Sequence, residues 1–292
     1  MEKDKLEDLL KINTTENWEV LSKRIDRYEF WLKTWNITRT VAAILILPLL
    51  SLTLFLQLQK DDMNVVNQIE VTSAHGLITK ITLPDNSEVW LNSGSTLVYP
   101  QRFSGEVRSV GLTGEAYFKV EADKHNCFEV LVQNNVKVRA FGTEFNIDAY
   151  KDDDKIETTL VSGNVEVTAG YLDSHILQKG QQATYNKENE TMNISSVNLY
   201  VKTAWKEGKM IFRRASMDEV VKQLSRRYNV EIELKDSELY DYEYSATFTT
   251  ESIREILELL EQTAPIECEI LESKLTSNMS FTKKKVIIQK RK

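Results

Sequence analysis

The sequence predicts a multi-domain chain: a helical N-terminal segment, one transmembrane helix, an all-β sandwich or barrel-like domain, and a small C-terminal α+β domain of βαβ-βαββ order. Three observations carry this prediction. Residues 40 to 59, TVAAILILPLLSLTLFLQLQ, hold no charged side chain. Between 76 and 195, apolar residues alternate with polar ones around short turns rich in Asn and Gly. After 207, two stretches adopt helical spacing between short β-like runs. The boundaries read 1–37, 38–59, a linker at 60–75, 76–195 and 207–292.

The first segment is charged and helical in pattern. In NTTENWEVLSKRIDRYEFWL, Thr14 or Thr15 can cap a helix, and Trp18, Leu21, Ile25 and Tyr28 then recur at three- and four-residue spacing. The segment is too short to bury that stripe against itself. Its eight acidic residues would be repelled by anionic lipid, so a cytoplasmic protein partner is favoured over the membrane surface. Trp18, Leu21 and Ile25 are the candidate contacts.

The uncharged run comes next. A helix rises about 1.5 Å per residue, so this run reaches roughly 30 Å, the thickness of a bilayer core. It is apolar all round, whereas a helix packed on a soluble core keeps a polar stripe. Pro48 would kink it, which membrane spans tolerate. A cleaved signal peptide has a short charged leader and a small-residue cleavage site, and neither is present. Lys23, Arg24, Arg27, Lys33 and Arg39 precede the run, while Lys60 closes it beside Asp61 and Asp62. The positive-inside rule then puts the N-terminus in the cytoplasm and exports the chain beyond residue 60. Trp31 and Trp35 suit the inner interface.

The exported part begins as strands. In FEVLVQNNVKVRA, apolar residues alternate on both sides of Asn134-Asn135, a hairpin signal. Asp85-Asn86 and Gly163-Asn164 read as two more hairpin turns. The apolar parity is even up to Ala140 and odd at Phe145, Ile147 and Ala149, so an extra residue is expected in FGTEF, with Gly142 as a bulge. The C-terminal domain reads as a strand GKMIF, a helix opened by a capping box at Ser216 and Glu219, a strand VEIEL, a strand YSATF, a helix SIREILELLEQT, and strands IECEI and KVIIQ, with an internal pseudo-repeat.

The chain of 292 residues carries a net charge of −7, which gives no case for direct nucleic-acid binding. Its two cysteines, Cys127 and Cys268, fall in different predicted domains, so no disulfide framework is expected. His75, His125 and His175 are scattered, and no cofactor or metal is expected. Asp152, Asp153 and Asp154 could bind calcium, but a solvated loop tip accounts for them better. Glu115 stands alone beside a glycine. No catalytic set emerges, so the chain is not expected to be an enzyme, with one exception. The Thr143 hydroxyl could attack the Gly142 carbonyl, converting amide to ester for water to open. Gly142 and Thr143 are thus a candidate self-cleavage site. A structural glycine with a threonine chosen for β-propensity explains the same residues.

These motifs resemble a family. ITLPDNSEVWLNSGSTLVYP, RSVGLTGEAYFKV, FGTEFNIDAY and LVSGNVEV, in that order over more than eighty residues, are similar to FecR-family transmembrane anti-sigma factors. WKEGKMIFRRASMDEVVKQLSRRYNVEIEL resembles the C-terminal domain of such regulators, and Cys127 replaces a proline common at that place. The resemblance implies a single-pass inner-membrane protein with a periplasmic FecR-type β domain. Its tail would bind an extracytoplasmic-function sigma factor. Its exported part would read the signalling domain of a TonB-dependent outer-membrane nutrient receptor. The alternative is a membrane-tethered periplasmic binding or structural module with no sigma partner.

Overall fold

The structure, a computed structural model, describes residues 67–123, 125–273 and 282–291, together with Trp31, Thr34, Trp35, Arg39, Ala42 and residues 44–55. The chain divides into one unit up to Val65 and another from Val66 to Lys292. The described residues of the first unit are helical, with Trp31 and Trp35 stacked 6.4 Å apart and the large apolar side chains of residues 44–55 exposed. Among the described residues, no helix is long and apolar enough to cross a membrane. The predicted span at 38–59 extends beyond those residues at both ends.

The second unit opens with a β-sandwich of thirteen strands. One sheet holds, in spatial order, β1 (Gln68–Thr72), β4 (Thr96–Pro100), β5 (Val107–Lys119), β6 (Cys127–Leu131), β7 (Val136–Ala140), β10 (Val165–Ala169) and β11 (His175–Leu177). The other holds β2 (Thr79–Thr82), β3 (Glu88–Leu91), β5 again, β8 (Glu144–Ala149), β9 (Lys155–Ser162), β12 (Gln181–Asn186) and β13 (Thr191–Ser196). β5 belongs to both: Val107–Thr113 pairs with β4 and β6, and Gly114–Lys119 pairs with β3 and β8. The bend between these halves falls at Gly114, whose φ of +93° and contact with Ser95 exclude a side chain. β1 starts inside the segment read as a linker.

Alternation along each strand sends one set of side chains into a single core. Leu97, Phe128, Val130, Val138 and Val165 enter it from the first sheet, and Val89, Leu91, Phe145, Ile147, Ile156 and Leu160 from the second. The Asn134-Asn135 hairpin forms as expected, with φ of +57° at both residues, and Asp85-Asn86 turns β2 into β3.

Two expectations need correction. Gly163-Asn164 does not close a hairpin. β9 pairs with β8 and β12, β10 pairs with β7 and β11, and the turn carries the chain from one sheet to the other. The parity change in FGTEF is not a bulge. β7 lies in the first sheet and β8 in the second, so residues 141–143 form a corner. A chain that crosses the core must present its opposite parity to keep its apolar side inward, with no residue inserted into a ladder. The bulge sits opposite, in β9, where Glu144 pairs with Ser162 and Phe145 with Leu160.

Beyond the sandwich, α1 (Leu199–Thr203) and a 3₁₀ turn (Ala204–Glu207) lead into the C-terminal module. The module contains β14 (Met210–Ser216), α2 (Met217–Tyr228), β15 (Val230–Leu234), β16 (Glu243–Phe248), α3 (Ile253–Thr263), β17 (Ile266–Leu271) and β18 (Lys284–Lys290). Met217, Val220, Val221 and Leu224 of α2 and Ile256, Leu257 and Leu260 of α3 meet in its core. The repeat holds in element order, and β14 pairs with β16. It fails at β18, which runs parallel to β15 and antiparallel to β17. The box expected at Ser216 is half made: Ser216 accepts from the Glu219 amide, while the Glu219 carboxylate takes a bond from Gln223. A complete capping box forms instead at Ser252 and Glu255 of α3.

Candidate functional site

The outward face of the second sheet carries a connected set of polar side chains. Because Ala116, Phe118, Phe145, Ile147 and Ala149 point inward, their alternates Glu115, Tyr117, Asn146 and Asp148 point outward. On an uncovered sheet these would meet water. Here α1, the 3₁₀ turn and α2 lie over them, and Asn146 is buried.

A chain of hydrogen bonds crosses this joint. Trp205 Nε1 donates to Asn146 Oδ1 at 3.1 Å. Asn146 Nδ2 donates to Glu115 Oε1 at 2.9 Å, and Asn92 Nδ2 donates to Glu115 Oε2 at 2.7 Å. Ser93 Oγ donates to the Arg226 carbonyl at 2.6 Å, linking the β3–β4 turn to α2. The Tyr150 hydroxyl donates to the Ser93 carbonyl, and the Arg226 guanidinium lies 3.9 Å from the centre of the Tyr150 ring. Arg226 also meets Asp153 at 2.7 Å and Asp152 at 3.4 Å. Lys202 of α1 meets Glu157 of β9 at 2.7 Å.

Burial shapes the charges. It raises Glu115 above the usual carboxylate range, against the pull of its two amide donors. Burial raises Asp148 well above that range, Glu115 adds to the effect, and Arg226 opposes it. Burial acts against the charges of Arg226 and Lys202, but Asp153 and Glu157 outweigh it, so both cations are held more firmly protonated than usual. Between sandwich and module lies a cavity of about 350 Å³, whose walls include Asn92, Glu115, Asp148, Trp205 and Arg226.

The residues singled out from the sequence fall elsewhere. Trp18, Leu21 and Ile25 lie outside the described residues. Gly142 and Thr143 form the corner before β8. Gly142 has φ of +71°, and a β-carbon there would sit 2.6 Å from Ala122 Cβ, so the position requires glycine. Thr143 is buried, and its hydroxyl has no hydrogen-bond partner. Among the described residues, no base is hydrogen-bonded to it, although a hydroxyl nucleophile needs one.

Asp153 is not part of a solvated loop tip: Arg226 and Lys222 engage it across the joint. Among the described residues, no three His, Cys, Asp or Glu side chains converge to hold a metal. Glu115, weak as a lone glutamate, proves central. Asn146, Asp148 and Trp205 escaped the sequence reading because polar alternates on a strand ordinarily face water. The one signal for them was Trp205, a tryptophan in the connection between the two modules.

Comparison with known proteins bears on both modules. Residues 69–166 match the family model described as FecR protein, and residues 209–277 match the one described as FecR, C-terminal. Two crystal structures of a candidate anti-sigma factor from Parabacteroides distasonis ATCC 8503 resemble the chain at 27% and 26% identity, each with a TM-score of 0.66. Each alignment covers 77% of this chain and 100% of the solved one. No curated protein matches.

Proposed function

The chain belongs to the FecR family of anti-sigma factors, and from that membership we propose that it is a single-pass inner-membrane regulator. Its N-terminus lies in the cytoplasm and its sandwich and C-terminal module in the periplasm. The partner inside is an extracytoplasmic-function sigma factor, held through Trp18, Leu21 and Ile25. The partner outside is the signalling domain of a TonB-dependent nutrient receptor, which adds a strand to an exposed edge of the C-terminal module. The observation that carries this reading is the uncharged run 40–59, with basic residues before it and acidic ones after it.

Reporter fusions test it. Alkaline phosphatase placed after Lys292 is active, and the same enzyme placed before Met1 is not; the reverse pattern sinks the topology and everything built on it. Inside the cell, Trp18→Ala weakens sigma binding by about 1–4 kcal/mol, the usual range for a buried interface tryptophan. A pull-down in which Trp18→Ala binds like the parent removes that residue from the contact. Self-cleavage between Gly142 and Thr143 belongs to the same proposal, because cutting the exported part is one way to release a tail joined to it by a single helix.

A further inference from the structure

Seven carboxylates and six cationic side chains line the cavity. Glu157 is met by Lys202, Asp153 by Arg226, and Asp218 by Lys222 at 2.8 Å. Glu115 is satisfied by two neutral amides. Asp148 has no such partner: its Oδ1 is closed off from bulk solvent and accepts no hydrogen bond. It sits directly across the β5–β8 ladder from Glu115, so two carboxylates share one outward face. Like charges directly opposed on adjacent strands destabilise a sheet, and a buried carboxylate without a donor loses its hydration with nothing in exchange.

We propose that this cavity binds a small organic cation bearing an ammonium group, with Asp148 as its principal acceptor and Glu115 beside it. Size and lining select the class. About 350 Å³ lies at the small end of ligand pockets and far exceeds a bare metal ion. Calcium or magnesium asks for about six oxygen ligands and zinc for three or four protein side chains, whereas no convergence of even three candidate side chains occurs among the described residues. An ammonium needs one or two acceptors and a place for its carbon stem. Trp205, Leu77 and Met210 on the cavity wall supply apolar surface for that stem. The pull of burial on both carboxylates is relieved when a cation arrives, so occupancy keeps both ionised. The walls belong to the sandwich and to the C-terminal module alike, so the occupant bridges them.

The test is calorimetric titration of the purified full-length chain with n-butylammonium chloride and, separately, with sodium butyrate, in a buffer free of amines. Saturable binding of butylammonium but not butyrate is expected. Asp148→Asn weakens it roughly tenfold or more, the worth of one charge-assisted hydrogen bond. Glu166→Gln, on β10 of the first sheet and away from the cavity wall, leaves it within about twofold of the parent. Absence of saturable ammonium binding, equal binding of both ions, or unchanged affinity in a folded Asp148→Asn each overturns the proposal. If circular dichroism finds Asp148→Asn unfolded, the parent's choice between the two ions decides.

Discussion

The sandwich and the joint beside it are held by different forces. In the sandwich, Phe118 stacks on Phe145 at 5.0 Å and tilts against Phe128 at 6.1 Å, inside one apolar cluster drawn from both sheets. At the joint with the C-terminal module, the contacts are ion pairs, hydrogen bonds and a guanidinium on a ring. Added salt does not screen apolar burial and salting-out ions strengthen it, while partly exposed ion pairs weaken with salt. Each module can therefore keep its own core while the contact between them is loosened. A relay that reads a partner on one module and reports through the other can use such an arrangement.

The largest effect that could break this contrast is in the core. Phe145→Ala removes a fully buried ring and costs about 3–5 kcal/mol in denaturant unfolding. Hydrogen exchange should then rise across β5, β8 and β9 while β18 keeps its protection. Equal loss of protection in β18 would mean that sandwich and module unfold as one, and the contrast would fail.

Next in size is the joint. Arg226→Ala strips Asp153 of its 2.7 Å partner and uncovers the Tyr150 ring. Asp153 is mostly buried, so the loss is about 2 kcal/mol, below the full penalty for breaking a deeply buried pair. Exchange should quicken in the 150–154 turn and the last turn of α2, with both cores unchanged. Raising the salt concentration of the parent protein should move the same amides in the same direction; salt-insensitive exchange there would contradict an ionic joint.

Asp148 sharpens the comparison through pH. Folded Asp148 keeps its proton to higher pH than the unfolded chain does, because burial and then Glu115 raise it and Arg226 only partly compensates. Stability therefore falls as pH rises from the ordinary carboxylate range through the folded value. Asp148→Asn has no such titration. In an amine-free buffer it should be more stable than the parent by about 1–2 kcal/mol near pH 8. The gap should close below about pH 4, where both the folded and the unfolded parent are protonated. A gap that does not change with pH would show that Asp148 is not the group responsible.

The sequence conveyed some of this and hid the rest for physical reasons. Strands and helices were legible because alternation and helical spacing are local: Val130 and Val138, or Val220 and Leu224, declare a buried side without knowing what covers it. Sheet membership was not legible. Gly163-Asn164 has the composition of a hairpin turn, and only the long-range pairing of β9 with β12 shows that it leaves one sheet for the other. Asn146 and Asp148 look like solvent-facing alternates until α1 and α2 are laid over them. The joint is assembled from residues as far apart as Ser93 and Arg226, and no short window contains both.

The smallest expected change concerns the corner, and its sign is informative. Thr143 Oγ1 is buried without a partner, which costs the fold roughly 1–3 kcal/mol relative to a satisfied hydroxyl. Thr143→Val replaces that hydroxyl with a methyl group of similar shape and keeps the γ-carbon that fills the space beside Gly163. Stability should rise by up to about 1 kcal/mol, because nothing is unpaired in the exchange. If the variant is less stable, the hydroxyl has a partner in solution and the corner is purely structural. If it is more stable, the chain carries a hydroxyl that its fold does not need, as a nucleophile poised beside Gly142 would require. The second reading must then pass a blot of the full chain tagged at both ends: two fragments joining near residue 142 in the parent, cleavage retained in Thr143→Ser, and one intact band in Thr143→Val. An intact parent in its native membrane removes self-cleavage, and Thr143 is then a residue whose buried hydroxyl the structure does not explain.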